Sequence, residues 1–276
     1  MQNLPKITIV TPSYNQEKYL ETAILSVLAQ NYDELEYIII DGGSTDESVE
    51  IIKKYNKNIS YWCSVKDDGQ SDAIVKGISK STGSILGWIN SDDALFPGAL
   101  HKVSHYFMKN PHIDVLLGGV AYADGSGNIT KCYEYSKPKM FFAKNGVTAF
   151  GQQGMFFRKN LYEKIGGIRT DFHYSMDTEL LYRMIYSGAK IGTLRELIGI
   201  FRWHEDMKSI NIGGRKAEET KIRNHLYDVN EKYTSYVKQV HRMWQLINGN
   251  MLHSIYQKYK LHNVSIDKLW AQEYIK

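Results

Sequence analysis

Two adjacent carboxylates, Asp92 and Asp93, follow directly after an apolar run that has the composition of a buried strand. Each negative charge raises the cost of ionising the other, so the pair needs a compensating partner. Mg²⁺ and Mn²⁺ prefer oxygen ligands, and they commonly use one or two carboxylates together with substrate phosphates. The alternative is the start of a helix, where the helix dipole favours acidic side chains. Both interpretations fit the pair taken alone.

A second polar segment, DGGSTD at 41–46, follows another short apolar run. Asp41 could accept a hydrogen bond from a nucleobase or a ribose, and the two glycines would let the backbone approach a ligand closely. The alternative is a turn and a helix cap, since Ser44 and Glu47 have the spacing of a capping box. The usual glycine-rich phosphate loops do not occur in the sequence.

The elements that must position these residues are short apolar runs alternating with helical patterns. Strands are predicted at 7–10, 37–40, 59–63, 84–89, 114–122, 154–159 and 197–204. Helices are predicted at 19–28, 44–55, 71–80, 97–110, 160–167 and 175–188. This alternation favours βαβ crossovers and a largely parallel sheet with helices on both faces. Such sheets bind ligands beyond the carboxyl ends of their strands, so we expect Asp41, Asp92 and Asp93 to face one crevice.

Composition narrows the class of protein. The 276 residues are 43% hydrophobic, which is enough for a large core, and the net charge of +4 does not by itself suggest a nucleic-acid partner. Cys63 and Cys132 are too few for a disulfide framework or a cysteine metal site. The sequence has no signal-peptide pattern and no run of about 18 apolar residues. We therefore expect a cytoplasmic protein, either soluble or at the inner face of the membrane.

Seven segments occur in an order that is specific as a set. They are TPSYNQEKYL, DGGSTDES, KDDGQSDAIVKGI, GWINSDDALFPGAL, GQQGMFFRK, SMDTELLYRM and FRWHEDMKS. Together they resemble the inverting nucleotide-sugar glycosyltransferases of family 2, over about residues 6–210. The resemblance implies the GT-A fold, an α/β fold with a mostly parallel sheet flanked by helices. It predicts a transferase domain over 1–212, with a nucleotide-binding half (1–110) and an acceptor and catalytic half (111–212).

The resemblance also implies which residues bind the nucleotide sugar. They are Thr11, Pro12, Tyr14, Asn15, Asp41, Asp67, Asp72, Lys76, Asn90, Ser91, Gln153 and Lys208. The first four would line the nucleotide pocket, and Asp41 and Asp67 would hold the base and ribose of a uridine diphosphate (UDP) sugar. Asp72 and Lys76 would lie near the donor sugar or its diphosphate. Gln153 would face the donor sugar or the acceptor.

The implied metal site departs from the family pattern. The D-x-D element falls on Asn90-Ser91-Asp92, so an amide replaces its first acid. Asp92 then becomes the chief ligand of Mn²⁺ or Mg²⁺, and Asp93 and His204 are the other members of the predicted metal set. Lys208 would cover the phosphates. Taken alone, His204 is better interpreted as a structural histidine, and its position in FRWHEDMKS makes the two interpretations about equal.

Asp177 matches the family position of the general base. Transfer with inversion needs one carboxylate to take the proton of the acceptor hydroxyl as its oxygen attacks the anomeric carbon. The acid that usually precedes the base is Met176 in this sequence, and Glu179 would face elsewhere on the helix. From the residues alone, Asp177 could also be an ordinary N-terminal helix acid.

The predicted helical appendage, 213–276, is rich in Lys, Tyr, Trp and His from about Arg215 onward. Its aromatic residues could pack on the domain. They could instead make a peripheral contact with an anionic membrane leaflet, which would fit a lipid-linked acceptor. A homodimer interface or a nucleic-acid contact are further alternatives, and we predict no nucleic-acid partner.

The predicted function is transfer of a hexose or N-acetylhexosamine from a UDP sugar to a glycan or lipid-linked hydroxyl, in the synthesis of bacterial surface polysaccharide. One alternative is a decayed transferase that binds a nucleotide sugar without catalysis, which the Asn90 and Met176 departures leave open. A sugar-phosphate nucleotidyltransferase ranks lower, because TPSYNQEKY has no glycine-rich loop after the first strand.

Overall fold

The computed structural model describes residues 4–226 and 234–274. The strands are β1 (Ile7–Ser13), β2 (Leu35–Asp41), β3 (Tyr61–Ser64), β4 (Ile85–Trp88), β5 (Ala94–Leu95), β6 (Val115–Ala123), β7 (Ile129–Tyr133), β8 (Met155–Arg158) and β9 (Ile191–Arg202). The helices are α1 (Glu17–Leu28), α2 (Ser48–Lys54), α3 (Gln70–Lys80), α4 (Ala99–Lys109), α5 (Met140–Ala143), α6 (Lys159–Lys164), α7 (Met176–Tyr186), α8 (Ile212–Thr220), α9 (Thr234–Ile247), α10 (Asn250–Leu261) and α11 (Ile266–Tyr274).

The strands form one sheet in the order β3-β2-β1-β4-β8-β6-β9-β5, and β7 pairs with β6. The predicted α/β class is confirmed. The run β3-β2-β1-β4 is parallel, as predicted, but β8, β7 and β5 each pair antiparallel with their neighbours, so the sheet is mixed. One reason is that a tight turn joins β6 to β7, and strands joined by such a turn must run antiparallel.

Both faces of the sheet are covered, and this explains why the strands are apolar on both sides. Alternate residues of β1 contribute to two different cores, with Val10 on one face and Ile7 and Ile9 on the other. The apolar stripe of α1 packs on the second face, where Leu20, Ile24 and Val27 are buried. A sheet buried in this way fixes where its strands end, and therefore where the polar residues that follow them lie.

The predicted capping box does not form, and α2 begins at Ser48 rather than at Ser44. The Ser44 hydroxyl donates to the Asp41 carboxylate (2.5 Å) and accepts the backbone N–H of Asn15 (2.8 Å), so it is not available to cap a helix. Asp46 instead accepts the backbone N–H of Ser48 (3.0 Å). A tertiary contact therefore replaced the local one that the spacing indicated.

In the second half of the chain, the structure differs from the prediction mainly in elements that the sequence analysis did not predict. The strand predicted at 197–204 begins earlier, at Ile191, and ends at Arg202. Strands β5 and β7 and the single-turn helix α5 were missed, since each is too short to show a period.

The prediction of helices after residue 213 is confirmed for most of the described part, and residues 227–233 lie outside it. Ile222 is fully buried and belongs to the same core as Leu180 of α7. Leu269 and Trp270 pack against the β6–β7 region. The domain boundary at 212 stays a prediction. Within 4–226 and 234–274, no helix is both long enough and apolar enough to cross a bilayer.

Candidate active site

A cavity of about 670 Å³ lies beyond the carboxyl ends of β1, β2, β3 and β4. The N-terminal strands contribute the carboxyl end of β1 and the segments that follow the strands, at 12–14, 42–43, 66–67 and 90–93. The opposite wall comes from the turn before β8, the first turn of α7 and the segment after β9. The cavity therefore lies at the edge where a parallel sheet is expected to bind its ligand.

Asp41 organises one wall of this cavity from behind. Its carboxylate is fully buried and accepts four hydrogen bonds, from the backbone N–H groups of Gly43 (3.1 Å) and Ser44 (2.8 Å) and from the hydroxyls of Ser44 and Ser64 (2.7 Å for Ser64). It does not line the cavity, whereas Gly42 and Gly43 do. The expected common crevice for Asp41, Asp92 and Asp93 is therefore corrected, because Asp41 fixes the loop instead of facing the ligand space.

Asp67 is the carboxylate that this wall presents to the cavity. It accepts the backbone N–H of Gly69 (2.9 Å), and Gly69 has a positive φ of 105° that only glycine adopts readily. A Cβ on Gly42 would come within 3.0 Å of the Asp67 carboxylate, so the glycine allows this close approach. Burial, reinforced by the nearby acids Asp72 and Asp41, raises the pKa of Asp67.

Asp93 also lines the cavity, but its carboxylate is held by hydrogen bonds from the protein. Its two oxygens accept from the side-chain amides of Gln153 (2.7 Å) and Asn90 (3.1 Å) and from the backbone N–H of Arg202 (3.0 Å). Burial and then the neighbouring charge of Asp92 raise its pKa well above the usual range. With its oxygens occupied, Asp93 fits a structural acid that fixes the turn after β4. The structure does not support its predicted place among the metal ligands.

Asp92 is oriented differently, toward the cavity and His204. Its Oδ2 lies 3.1 Å from His204 Nε2, and within the described chain no partner is recorded for its Oδ1. His204 is buried, with its ring 4.6 Å from that of Tyr19, and its Nδ1 has no hydrogen-bond partner. Two adjacent ligands of an octahedral ion, each about 2.1 Å from it, are about 3.0 Å apart. The spacing of Asp92 and His204 therefore fits two ligands of one divalent cation.

These two residues would not complete a metal shell alone. Among the described residues, no group of three or more His, Cys, Asp or Glu side chains could hold an ion. A cation at this position would need further oxygen ligands from a phosphate group and water, as Mg²⁺ usually does.

Asp177 lies in the first turn of α7 and lines the cavity. Its Oδ1 accepts the backbone N–H of Thr178 (2.6 Å). Desolvation raises its pKa from 3.8 to about 6, and the hydrogen bonds from Thr178 oppose this only in part. Glu179, by contrast, is buried and paired with Arg183, and it does not line the cavity. Asp177 is thus a carboxylate in the cavity with a pKa close to neutral.

Glu218 of α8 holds the segment that leads into α7. Its carboxylate accepts three consecutive backbone N–H groups, those of His173 (2.7 Å), Tyr174 (2.8 Å) and Ser175 (2.8 Å). The segment after residue 212 thereby supports the wall that carries Asp177. Sequence reasoning missed this residue, because nothing local distinguishes Glu218 from a surface acid.

Comparison with known proteins identifies the family of this chain. The profile of glycosyl transferase family 2 matches residues 8–166. The chain belongs to glycosyl transferase family 2. An uncharacterized glycosyltransferase of Mycobacterium tuberculosis is 30% identical over 187 residues, which cover 66% of this chain and 70% of that protein. An uncharacterized glycosyltransferase of Haemophilus influenzae is 36% identical over 138 residues, which cover 49% of this chain and 55% of that protein.

Solved structures confirm the fold of this glycosyltransferase. S. aureus TarS 1-349, crystallised with UDP-GlcNAc, has a TM-score of 0.55 and 18% identity, covering 84% of this chain and 70% of that one. The mannosyltransferase PcManGT of Pyrobaculum calidifontis, in complex with GDP-Man and Mn²⁺, has a TM-score of 0.54 and 17% identity, covering 72% and 57%. At such low identity the likeness shows the fold alone.

In this glycosyltransferase, the structure brings most of the predicted site residues to the cavity. Those that line it are Pro12, Tyr14, Asp67, Asn90, Ser91, Asp92, Asp93, Gln153, Asp177 and Lys208. Thr11, Asn15, Asp41, Asp72, Lys76 and His204 do not line it. Thr11 is buried against the Tyr37 hydroxyl (3.1 Å), and Asn15 accepts the backbone N–H of Thr45 (2.9 Å). These contacts explain why two polar residues at the end of β1 support the site instead of facing the ligand space.

Asp72 and Lys76 form an ion pair (2.7 Å) on α3, away from the cavity lining. Their spacing of four residues places them on the same helical face, where such pairs form locally. Their predicted contact with the donor stays a prediction.

Three residues that line the cavity each have a buried polar side-chain atom with no hydrogen-bond partner within residues 4–226 and 234–274, and sequence reasoning missed all three. These atoms are Ser13 Oγ, Trp88 Nε1 and Gln152 Oε1, on side chains that are at most 7% exposed. Buried polar groups are nearly always paired, so unpaired ones in a cavity point to a polar ligand. Trp88 ends an apolar strand, and no local pattern shows which way its N–H points.

Proposed function

We propose that this glycosyltransferase transfers a hexose or N-acetylhexosamine from a UDP sugar to an acceptor hydroxyl with inversion. The observation that carries the proposal is Asp177, a carboxylate in the cavity whose pKa of about 6 suits a general base at neutral pH. The mixed sheet and the family membership support this assignment of Asp177, because transfer chemistry in this family uses an activated sugar.

The lining of the cavity supports a polyhydroxylated donor. Trp88 Nε1 can donate to a hydroxyl oxygen, Gln152 Oε1 can accept from a hydroxyl, and Ser13 Oγ can do either. A volume of about 670 Å³ is within the range of small-molecule sites. The complexes of TarS with UDP and UDP-GlcNAc make UDP the nucleotide to test first.

We further propose that Asp92 and His204 would hold a Mn²⁺ or Mg²⁺ ion when the donor is bound. The 3.1 Å separation of Asp92 Oδ2 and His204 Nε2 supports this, as does the Mn²⁺ in the PcManGT complex. A cation there would supply positive charge against the negative charge that grows on the departing nucleoside diphosphate. Lys208, at the rim of the same cavity, would add a second positive charge.

In the proposed reaction, Asp177 takes the proton of the acceptor hydroxyl while that oxygen attacks the anomeric carbon. The bond from the anomeric carbon to the diphosphate oxygen breaks on the opposite side, so the configuration inverts. Glu218 keeps Asp177 in place through the backbone at 173–175. Low water access around Asp177 keeps its carboxylate basic enough to accept the proton.

The proposed acceptor is a growing bacterial surface glycan, either free or lipid-linked, which would place the enzyme in the cytoplasm or at the inner face of the membrane. A panel of UDP, GDP and dTDP sugars, read by release of nucleoside diphosphate with and without Mn²⁺, tests the donor. We expect turnover with a UDP sugar that depends on the metal and disappears in Asp177→Asn. Donor binding by calorimetry without turnover on any donor or acceptor would contradict the proposal and favour a decayed transferase.

A further inference from the structure

Helices α9 and α10 form a hairpin that leaves a large apolar surface uncovered. The chain turns between them at Gly249, whose φ is +72°. Nine large apolar side chains of the hairpin are between 45% and 87% exposed, namely Tyr236, Met243, Leu246, Ile247, Met251, Leu252, Ile255, Tyr256 and Tyr259. On α10, the four residues Leu252, Ile255, Tyr256 and Tyr259 recur at spacings of three and four residues and so share one face of the helix. An apolar patch of this kind marks an interaction surface.

The charge of the hairpin has one sign. Residues 234–261 contain Lys238, Arg242, Lys258 and Lys260, and this stretch has no Asp or Glu. All four basic side chains are exposed. An apolar helical face flanked by cations is the pattern of a helix that lies in a membrane interface. The partner that this pattern fits is both apolar and anionic.

A groove of about 690 Å³ between β7 and the hairpin is lined by both apolar and basic side chains. Leu246 of α9 and Met251 and Ile255 of α10 line it together with Arg242 and Lys258. Apolar residues from both helices therefore border one concave surface.

One acidic residue, Glu134, also lines the groove. It is buried, and its carboxylate contacts the ring of His253. Burial raises the pKa of Glu134, which reduces the negative charge that it contributes. The exposed charge around the groove is therefore positive.

We propose that the α9–α10 hairpin docks on an anionic lipid membrane. A second copy of the chain fits this surface less well, because a twofold interface sets the same patch against itself. Arg242 and Lys258 would then meet their own copies, with no acid on either hairpin to pair with them. Phosphate headgroups supply the missing negative charge, and the acyl region accepts the apolar side chains.

Docking at the groove would also serve the proposed function. Only this step of the inference, and not the docking itself, rests on that function. Ala149 lines the groove and Gln152 lines the donor cavity. Three residues of extended chain span at most about 11 Å. A membrane held at the hairpin would bring a lipid-linked acceptor close to the cavity.

Sedimentation with lipid vesicles tests the docking without any sugar donor, so its outcome does not depend on the proposed transferase activity. Vesicles are made of phosphatidylcholine alone or of equal parts phosphatidylcholine and phosphatidylglycerol. We expect the protein to sediment with the anionic vesicles, to be released by high salt, and to remain in solution with phosphatidylcholine alone. Arg242→Gln with Lys258→Gln should weaken binding roughly thirtyfold. Ile247→Ser with Tyr259→Ser should also weaken it, at unchanged charge.

Matched controls remove equivalent groups elsewhere on the surface. Lys57→Gln with Lys109→Gln removes two exposed charges, and Leu25→Ser removes an exposed apolar side chain, and both should bind like the parent. Circular dichroism verifies that each variant is folded. Failure of the parent protein to sediment with anionic vesicles overturns the proposal. A dimer in ultracentrifugation that Ile247→Ser dissociates, without vesicle binding, overturns it in favour of a second copy. Equal losses in the control and hairpin variants would also overturn it.

Discussion

The carboxylate of Glu218 accepts the backbone N–H of Ser175 at 2.8 Å, two residues before the proposed base Asp177. The same carboxylate accepts the N–H groups of His173 and Tyr174, so one side chain of α8 satisfies three successive donors at the entry to α7. Such donors at a helix start have no partner within the helix. Helix α8 thereby supports the wall of the cavity that carries Asp177.

Removing this carboxylate should affect catalysis more than donor binding. In Glu218→Ala the three N–H groups lose their acceptor, and the first turn of α7 is no longer fixed. We expect kcat to fall by about tenfold or more, with the donor KM changed by less than about threefold. Steady-state kinetics measures the split. Glu163→Ala, which removes an exposed carboxylate on α6, is the control and should leave both constants unchanged.

The base assignment predicts a large loss from a nearly isosteric change. Asp177→Asn keeps the shape of the side chain and one acceptor oxygen but cannot take a proton. We expect kcat to fall by about 10² to 10⁴, while donor affinity measured by calorimetry is retained. Normal turnover in this variant would show that another residue is the base.

The raised pKa of Asp177 predicts two pH effects. First, kcat/KM should fall as the pH drops below about 6, since the protonated carboxyl cannot act as a base. Second, the folded-state pKa of about 6 exceeds the unfolded value of 3.8, so the folded protein binds more protons in this window. The free energy of unfolding therefore decreases as pH rises through it, and the loss persists at pH 7.

The Asp177→Asn variant does not lose this free energy of unfolding, because its side chain is neutral. We expect the variant to be more stable than the parent at pH 7, by at most about 3 kcal/mol, and the difference to shrink toward pH 4. Urea unfolding at the two pH values measures it. A variant that is inactive and also less stable at pH 7 would point to a structural role instead.

The metal proposal predicts a division between the two adjacent acids. Asp92→Asn and His204→Ala should each weaken Mn²⁺ binding in the presence of UDP by about tenfold or more, measured by electron paramagnetic resonance. EDTA should stop turnover, and added Mn²⁺ should restore it. Asp93→Asn should instead lower the free energy of unfolding by about 1–3 kcal/mol, since its new NH₂ group faces donors from Gln153, Asn90 and Arg202. Equal effects of the two acids on Mn²⁺ affinity would contradict this division.

The unpartnered indole of Trp88 predicts a change in affinity without a change in stability. Trp88→Phe keeps a ring against Phe157 but removes the N–H, which has no partner in the free protein. We expect donor affinity to fall by about three- to tenfold, because one hydrogen bond to the donor is lost. The free energy of unfolding should change by less than about 1.5 kcal/mol. A large loss of stability with unchanged donor affinity would show that Trp88 only packs.

The sequence by itself determined the strands that carry the site. Buried strands on a doubly covered sheet must be continuously apolar, so ITIV and YIII identified β1 and β2, and the polar residues after them marked the ligand edge. The ordered motifs identified the family. The cavity then contains Asp67, Asp92 and Asp177 as expected, because each lies within a few residues of an element whose position the pattern fixed.

Only the tertiary structure decided how the individual side chains are used. Asp92 and Asp93 are neighbours in sequence, yet one faces the cavity and the other is bound by groups from β9 and from the turn before β8. Glu218 and Trp88 gained their roles from residues far away along the chain. Orientation at this level depends on contacts between elements distant in sequence, and local patterns carry no information about those contacts.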